Sequence, residues 1–235
     1  MKAGTMIHTL SMTKSAAAAL CVAILLFAQS ATAEDDAVDM YDGLVAVENA
    51  QVAMAYIDPE ADFSVFQRVV ILEPHVAFVS NWRRDQNRNS RNRVSASDME
   101  GIKTDVASLF REVFVETLQA DDGYEVVDEA GDDVLVIRPA VIDLDITAPD
   151  TMSAGRGRTF TATAGAATVY IELFDSVSGA IIGRAADRRN ARNNSGRLSW
   201  SSSVMNRQEG RRMFGIWARQ LRTFLDSHYA IGDPK

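Results

Sequence analysis

Apolar residues recur along this chain at two periods. Residues 66–79, FQRVVILEPHVAFV, are dense in Val, Ile and Phe and predict a strand kinked at Pro74. Ile102, Val106, Leu109, Phe110, Val113, Phe114 and Leu118 then fall three and four apart, the spacing of one helix face. A capping box at Ser97-Asp98-Met99-Glu100 starts that helix and Asp121-Asp122-Gly123 ends it. Next come YEVVD at 124–128, the turn EAGD and the long run VLVIRPAVIDLDI at 134–146, which together predict a hairpin. The segment FTATAGAATVYIELFD, 160–175, sets Val169, Ile171 and Leu173 on one face and Tyr170, Glu172 and Phe174 on the other. The turn Ser176-Val177-Ser178-Gly179 leads into AIIGRAAD, 180–187. A second capping box, Asn206-Arg207-Gln208-Glu209, precedes the helical stripe Phe214, Trp217, Leu221, Phe224 and Leu225. The order β-α-β-β-β-β-α predicts an α+β fold: two layers, a mostly antiparallel sheet of about five strands with two helices on one face.

The N-terminal region departs from this pattern. Lys14 precedes an unbroken apolar run from Ala16 to Ala28, and Ala31-Thr32-Ala33 follows, the layout of a secretory signal over residues 1–33. The run is too short to cross a bilayer as a helix, and no later stretch approaches the length required, so the mature chain is expected to carry no transmembrane span. From Glu34 to Asp62 there are nine carboxylates and no basic residue. This acidic arm, 34–62, is expected to stay mobile or to dock on a basic loop. A single α+β domain is read over 63–230, with a tail at 231–235.

Removing the signal takes away Lys2 and Lys14 and moves the net charge from −8 to −10. It also removes Cys21, the one cysteine, and with it disulfides, thiolate metal sites and a cysteine nucleophile. Leu20 stands where lipidation of Cys21 wants a small residue, which argues for an unlipidated periplasmic protein. His75 and His228 are far apart without a second ligand at helical spacing, so no metal is expected, and no cofactor motif is present. Nucleic acid is a poor partner for so acidic a chain.

The stretches Asp42-Gly43-Leu44, YIDPEADFSVFQRVVI, GYEVVDEAGDDVLVIRP, DLDITAPD, ELFDSVSGAIIGRAADRR and WARQLRTFL follow one another in that order. Together they resemble an uncharacterised bacterial envelope family, domain of unknown function 3313. The resemblance implies a secreted envelope protein; many members of the family are described as lipoproteins, and this chain differs in lacking a convincing lipidation motif. It implies no activity and no catalytic residue.

Two kinds of chemistry remain. Asp143 and Asp145, two apart on one strand face, and Asp187 at the end of the fifth strand are acid–base candidates for hydrolysis of cell-wall or surface glycans, or simply solvated carboxylates. Arginine is the stronger signal: of the twenty in the chain, ten lie in 83–93 and 184–197. Its planar fork suits carboxylate and phosphate, so these loops suit a noncatalytic module that binds an envelope protein or an anionic glycan. Equally, they can neutralise the acidic arm. Gly155-Arg156-Gly157-Arg158 lacks the ending of a P-loop and reads as a hairpin connection. Counting strands up and down in the predicted order puts Arg156, Arg158, Arg184, Arg188, Arg189 and Arg192, with Asp143, Asp145 and Asp187, at one end of the sheet. The 83–93 cluster is expected at the other end, neutralised by Asp128, Glu129, Asp132 and Asp133, so the first end and not the 83–93 cluster is the expected binding surface for the acidic partner or anionic glycan.

Overall fold

The computed structural model describes residues 40–41, 43–88, 93–146, 160–161, 165–190, 199–200 and 203–229, all within one compact unit, Val38–Lys235. The chain forms β1 (Met40–Tyr41), β2 (Leu44–Ala46), β3 (Met54–Ile57), β4 (Arg68–Ile71), β5 (His75–Phe78), α1 (Trp82–Arg88), α2 (Ala96–Gln119), β6 (Glu125–Val126) and β7 (Val134–Asp145). It continues with β8 (Phe160–Thr161), β9 (Ala166–Asp175), β10 (Ile181–Asn190), β11 (Ser199–Trp200) and α3 (Ser203–Tyr229).

The fold is α+β, as expected, but the sheet is larger and mixed. Eight strands run in the order β1-β2-β3-β10-β9-β7-β4-β6, and β5 extends the row of β4 along β7. The strand read as 66–79 is thus two pieces on one partner, interrupted at Leu72-Glu73-Pro74, where proline supplies no ladder N–H. The two pieces and β6 are parallel to their neighbours, because α2 carries the chain back across the sheet between β4 and β6. The hairpin predicted between 124–128 and 134–146 does not form. β4 lies between those strands, and the backbone N–H groups of Gln67 and Arg68 both donate to the Asp133 carbonyl as the loop rounds its end. This order makes β4 an interior strand and buries Val69 and Ile71. Phe160–Thr161, read as the start of a long strand, pairs instead with Ser199–Trp200 in a separate two-stranded ribbon.

Three further strands come from 34–62, ahead of the point where the sequence placed the start of the globular fold. β3 pairs with β10, and Leu44 is 2% exposed. The strand segments LVA and MAYI contain no carboxylate and the acidic residues fall before, between and after them, so acidity and strand formation coexist.

α2 and α3 pack on the face presented by Ile137 and Val141 of β7 and Val169, Ile171 and Leu173 of β9. Phe110 of α2 stacks on Phe114 and meets Phe214 of α3 edge-on. Both helices start earlier than the sequence suggested. Ser95, not Ser97, caps α2: its hydroxyl accepts from Asp98 N–H while the Asp98 carboxylate accepts from Ser95 N–H. Asn206 lies inside α3, where Glu209 pairs with Arg212 at 2.9 Å.

Candidate functional site

The strand directions decide which loops share an end. β4, β5 and β7 run together, β9 runs against β7, and β10 against β9. Phe78 lies opposite Leu144, while Asp145 and Asn190 both lie opposite Ala166. β5, β7 and β10 therefore terminate at one end of the sheet, within about 15 Å at the usual strand spacing. The expectation that the 83–93 and 184–197 clusters sit at opposite ends is overturned: it rested on an antiparallel hairpin between 124–128 and 134–146, whereas β6 and β7 both run parallel to β4, which reverses β7 and every strand counted after it. Arg156, Arg158 and Arg192 lie outside the described residues.

α1 is anchored at this end by aromatic packing. Trp82, 2% exposed, stacks on Phe78 and donates from Nε1 to the Ile146 carbonyl at 2.7 Å. The Asn87 side chain pairs with both backbone groups of Val94, Oδ1 accepting from N–H at 2.7 Å and Nδ2 donating to O at 3.0 Å. This clasp joins the chain next to Arg88 and Arg93, both exposed. An open cleft of about 440 Å³ at the start of α1 is lined by Trp82, Arg83, Arg84, Met99 and Lys103.

The arginines divide into two populations. Arg138 and Arg184 both bind Glu172, Arg189 pairs with Asp187, Arg68 with Asp133, and Arg211 with Glu112 and Glu116. Arg83, Arg88 and Arg93, and Arg219 on α3, are exposed and make no ion pair with a described carboxylate. Arg188 is intermediate: its side chain is 48% exposed, its Nη1 lies 3.8 Å from Asp143, and it donates to Thr168 Oγ1 at 3.2 Å.

The predicted carboxylates separate by face. Asp143 occupies a bulge in β7 at φ 49° and lies by Thr168 and Arg188 on the helix-free side of the sheet. Asp145, also exposed, shares that side by its register with Ala166. Asp187 stands on the other side, opposite Val169, and is 8% exposed. It accepts from Trp217 Nε1 at 2.8 Å and from the Ala53 N–H at 3.3 Å. Arg189 Nε is 2.8 Å away, an ion pair by distance whose N–H is not aimed at the oxygen. The sheet itself therefore stands between Asp187 and the other two carboxylates. Among the described residues no group of three or more His, Cys, Asp or Glu side chains is arranged to hold a metal ion.

Sequence reasoning missed the cluster on the helix-free face, where Glu172, 7% exposed, binds Arg138 and Arg184 and accepts from Tyr170 Oη at 3.0 Å. Burial pushes the Glu172 carboxyl up, but the hydrogen bonds from Arg138, Tyr170 and Arg184 more than reverse this and hold it below the ordinary glutamate value. The available signal was the alternation of Tyr170, Glu172 and Phe174 on a face facing Arg138.

No helix among the described residues is long and apolar enough to cross a membrane. No curated protein matches the chain. Among solved structures, the PelC dodecamer from Paraburkholderia phytofirmans is 10% identical, covers 69% of this chain and 91% of its own, and superposes with a TM-score of 0.34. A candidate lipoprotein from Caulobacter crescentus is 13% identical over 74% of this chain and 96% of its own, with a TM-score of 0.35. Neither likeness is deep enough to speak for this chain's activity or partners. The family described as Protein of unknown function (DUF3313) matches residues 28–221, the family that the ordered motifs resemble. The chain belongs to the DUF3313 family.

Proposed function

We propose that this protein is a noncatalytic binding module of the cell envelope, exported to the periplasm, which holds an acidic envelope protein or anionic glycan through its arginine-rich end. The observation that carries the reading is the group of three exposed arginines at this end without a described carboxylate partner, Arg83, Arg88 and Arg93, of which Arg83 lines the open cleft. A cation already matched inside the fold gains little from a ligand, whereas an unmatched guanidinium retains its full donor set. Arg188 adds to the same end, and Arg156, Arg158 and Arg192 belong to the proposal through the chain segments that follow β7 and β10. Hydrolysis of a glycan that pairs Asp187 with Asp143 or Asp145 is not favoured, because the sheet separates Asp187 from the other two.

Two measurements test this reading. Terminal sequencing of the exported protein is expected to begin at Glu34; a lipid-modified Cys21 would overturn export as an unanchored protein. On an anionic polysaccharide column the substitutions Arg83→Ser, Arg88→Ser and Arg93→Ser together are expected to shift elution to lower salt. Arg188→Ser with Arg189→Ser and Arg192→Ser is expected to shift it less, since Arg189 is held by Asp187. Unchanged elution of both variants would remove the proposed surface.

A further inference from the structure

A second feature lies inside the two-layer packing, apart from the arginine-rich surface. A cavity of about 380 Å³ separates α3 from the helix-side face of β3, β9 and β10. Small side chains create it. Register places Ala185 beside Ala55 and Gly183 beside Ile57, so a row that would normally fill the gap beneath a helix carries two methyl groups and a hydrogen. Ala55, Ile57 and Ala185 are only half-buried, although they face the helix layer. Close-packed interiors keep few voids larger than water, and this volume falls within the range of about 300–1,000 Å³ typical of ligand sites.

The shape narrows the ligand. Lining residues on α3 run from Trp217 to Ser227, about 15 Å at the helical rise, whereas a sphere of the same volume would be about 9 Å across. The space is a slot. Its walls are Val169, Ile171, Leu173, Trp217, Leu221 and Phe224. The segment 47–53 crosses it as a strap, fastened where Gln220 Nε2 donates to the Gln51 carbonyl at 2.7 Å and where Ala53 N–H meets Asp187.

The polar lining narrows it further. Asn49, Gln51, Thr223 and Ser227 are exposed at its margin and uncharged. The two charged residues that reach the cavity are already matched: Arg184 by Glu172, and Asp187 by Trp217, Ala53 and Arg189. Among the described residues no unmatched cation lines the cavity to neutralise an anionic head, and Asp187 repels one.

We propose that this slot binds one linear alkyl or acyl chain whose head is uncharged and hydrogen-bonding, as in a monoacylglycerol. The chain lies along α3 under the strap, and its head meets the amides and hydroxyls of the rim. The test uses the full mature chain with 1-lauroylglycerol and with dodecanoate, each below its micellar concentration at about pH 8, where the carboxylate is ionised. Binding is followed by calorimetry and by tryptophan fluorescence. The expected result is saturable one-to-one binding of lauroylglycerol, at least tenfold tighter than dodecanoate. Ala185→Leu, which fills the slot, is expected to weaken binding at least tenfold at an unchanged melting temperature. Ala55→Val makes the smaller change at the paired position and serves the same purpose should Ala185→Leu not fold. Absence of saturable binding, or wild-type affinity in a folded filled variant, overturns the site; equal affinity for dodecanoate overturns the uncharged head.

Discussion

A carboxylate that is 7% exposed must be matched within the fold, and Glu172 is matched by Arg138, Arg184 and Tyr170. Arg138 also lies 4.7 Å over the Phe174 ring, so the cluster ties β7, β9 and β10 together on the face that carries no helix. The Arg184 side chain is 10% exposed and loses its counter-charge if Glu172 is neutralised. Glu172→Gln is therefore expected to cost about 3 kcal/mol in urea denaturation at neutral pH, the usual scale for breaking one side of a buried pair. The pH dependence has a definite sign. Because the folded-state pKa lies below the ordinary value of 4.5, the contribution is present above about pH 4.5 and is lost as pH falls through the folded value. The stability difference between wild type and Glu172→Gln should shrink over that acidic range and hold steady above it; a constant difference would assign the loss to packing alone.

At the scale of elements, the two ends of α2 illustrate how side chains settle boundaries. Ser95 and Asp98 satisfy each other's backbone N–H groups at the start. At the far end Arg222 of α3 donates to the carbonyls of Leu118 and Ala120, and a Cβ on Gly123 would collide with that arginine's Nη1. Ser95→Ala is expected to cost about 1 kcal/mol and Ser97→Ala under about 0.5 kcal/mol, by thermal or urea unfolding. The reverse ranking would restore the cap read from sequence. Helix periodicity was legible because Leu109, Phe110, Val113, Phe114 and Leu118 all face one core. The cap was not: Ser95 and Ser97 each have an acidic residue three positions on, and only the path of the incoming chain chooses between them. The Asn87–Val94 clasp reaches across the loop in the same way and leaves no periodic trace.

Across the whole molecule, the N-terminal segment is the part whose role changes most. Its carboxylates suggested an arm, mobile or docked on a basic loop, yet β3 pairs with β10, Leu44 is buried, and residues 47–53 cross the cavity. Deleting 34–55 is expected to lower stability by at least about 3 kcal/mol, since a buried leucine alone is worth about 2–5 kcal/mol. An unchanged melting transition would show that the sheet does not need these strands.

Some of this was written locally in the chain. Hydrophobic spacing sufficed for α2, α3, β9, β10 and the interrupted strand at Pro74, because each buries one face and period alone marks a buried face. The ordered motifs sufficed for the family. Tertiary structure alone decided that β4 would lie between β6 and β7, because strand pairing is a choice among distant partners that no local pattern encodes. That choice reversed the direction of β7, β9 and β10 and gathered the arginine clusters at one end, while the register of those strands put Asp187 on the opposite face from Asp143. It also decided which arginines are matched, since Arg138, Glu172 and Arg184 meet only once three strands are in register. The slot under α3 is decided in the same way: Ala55 and Ala185 are unremarkable residues in sequence, and they become a void only where β3 and β10 pair beneath a helix.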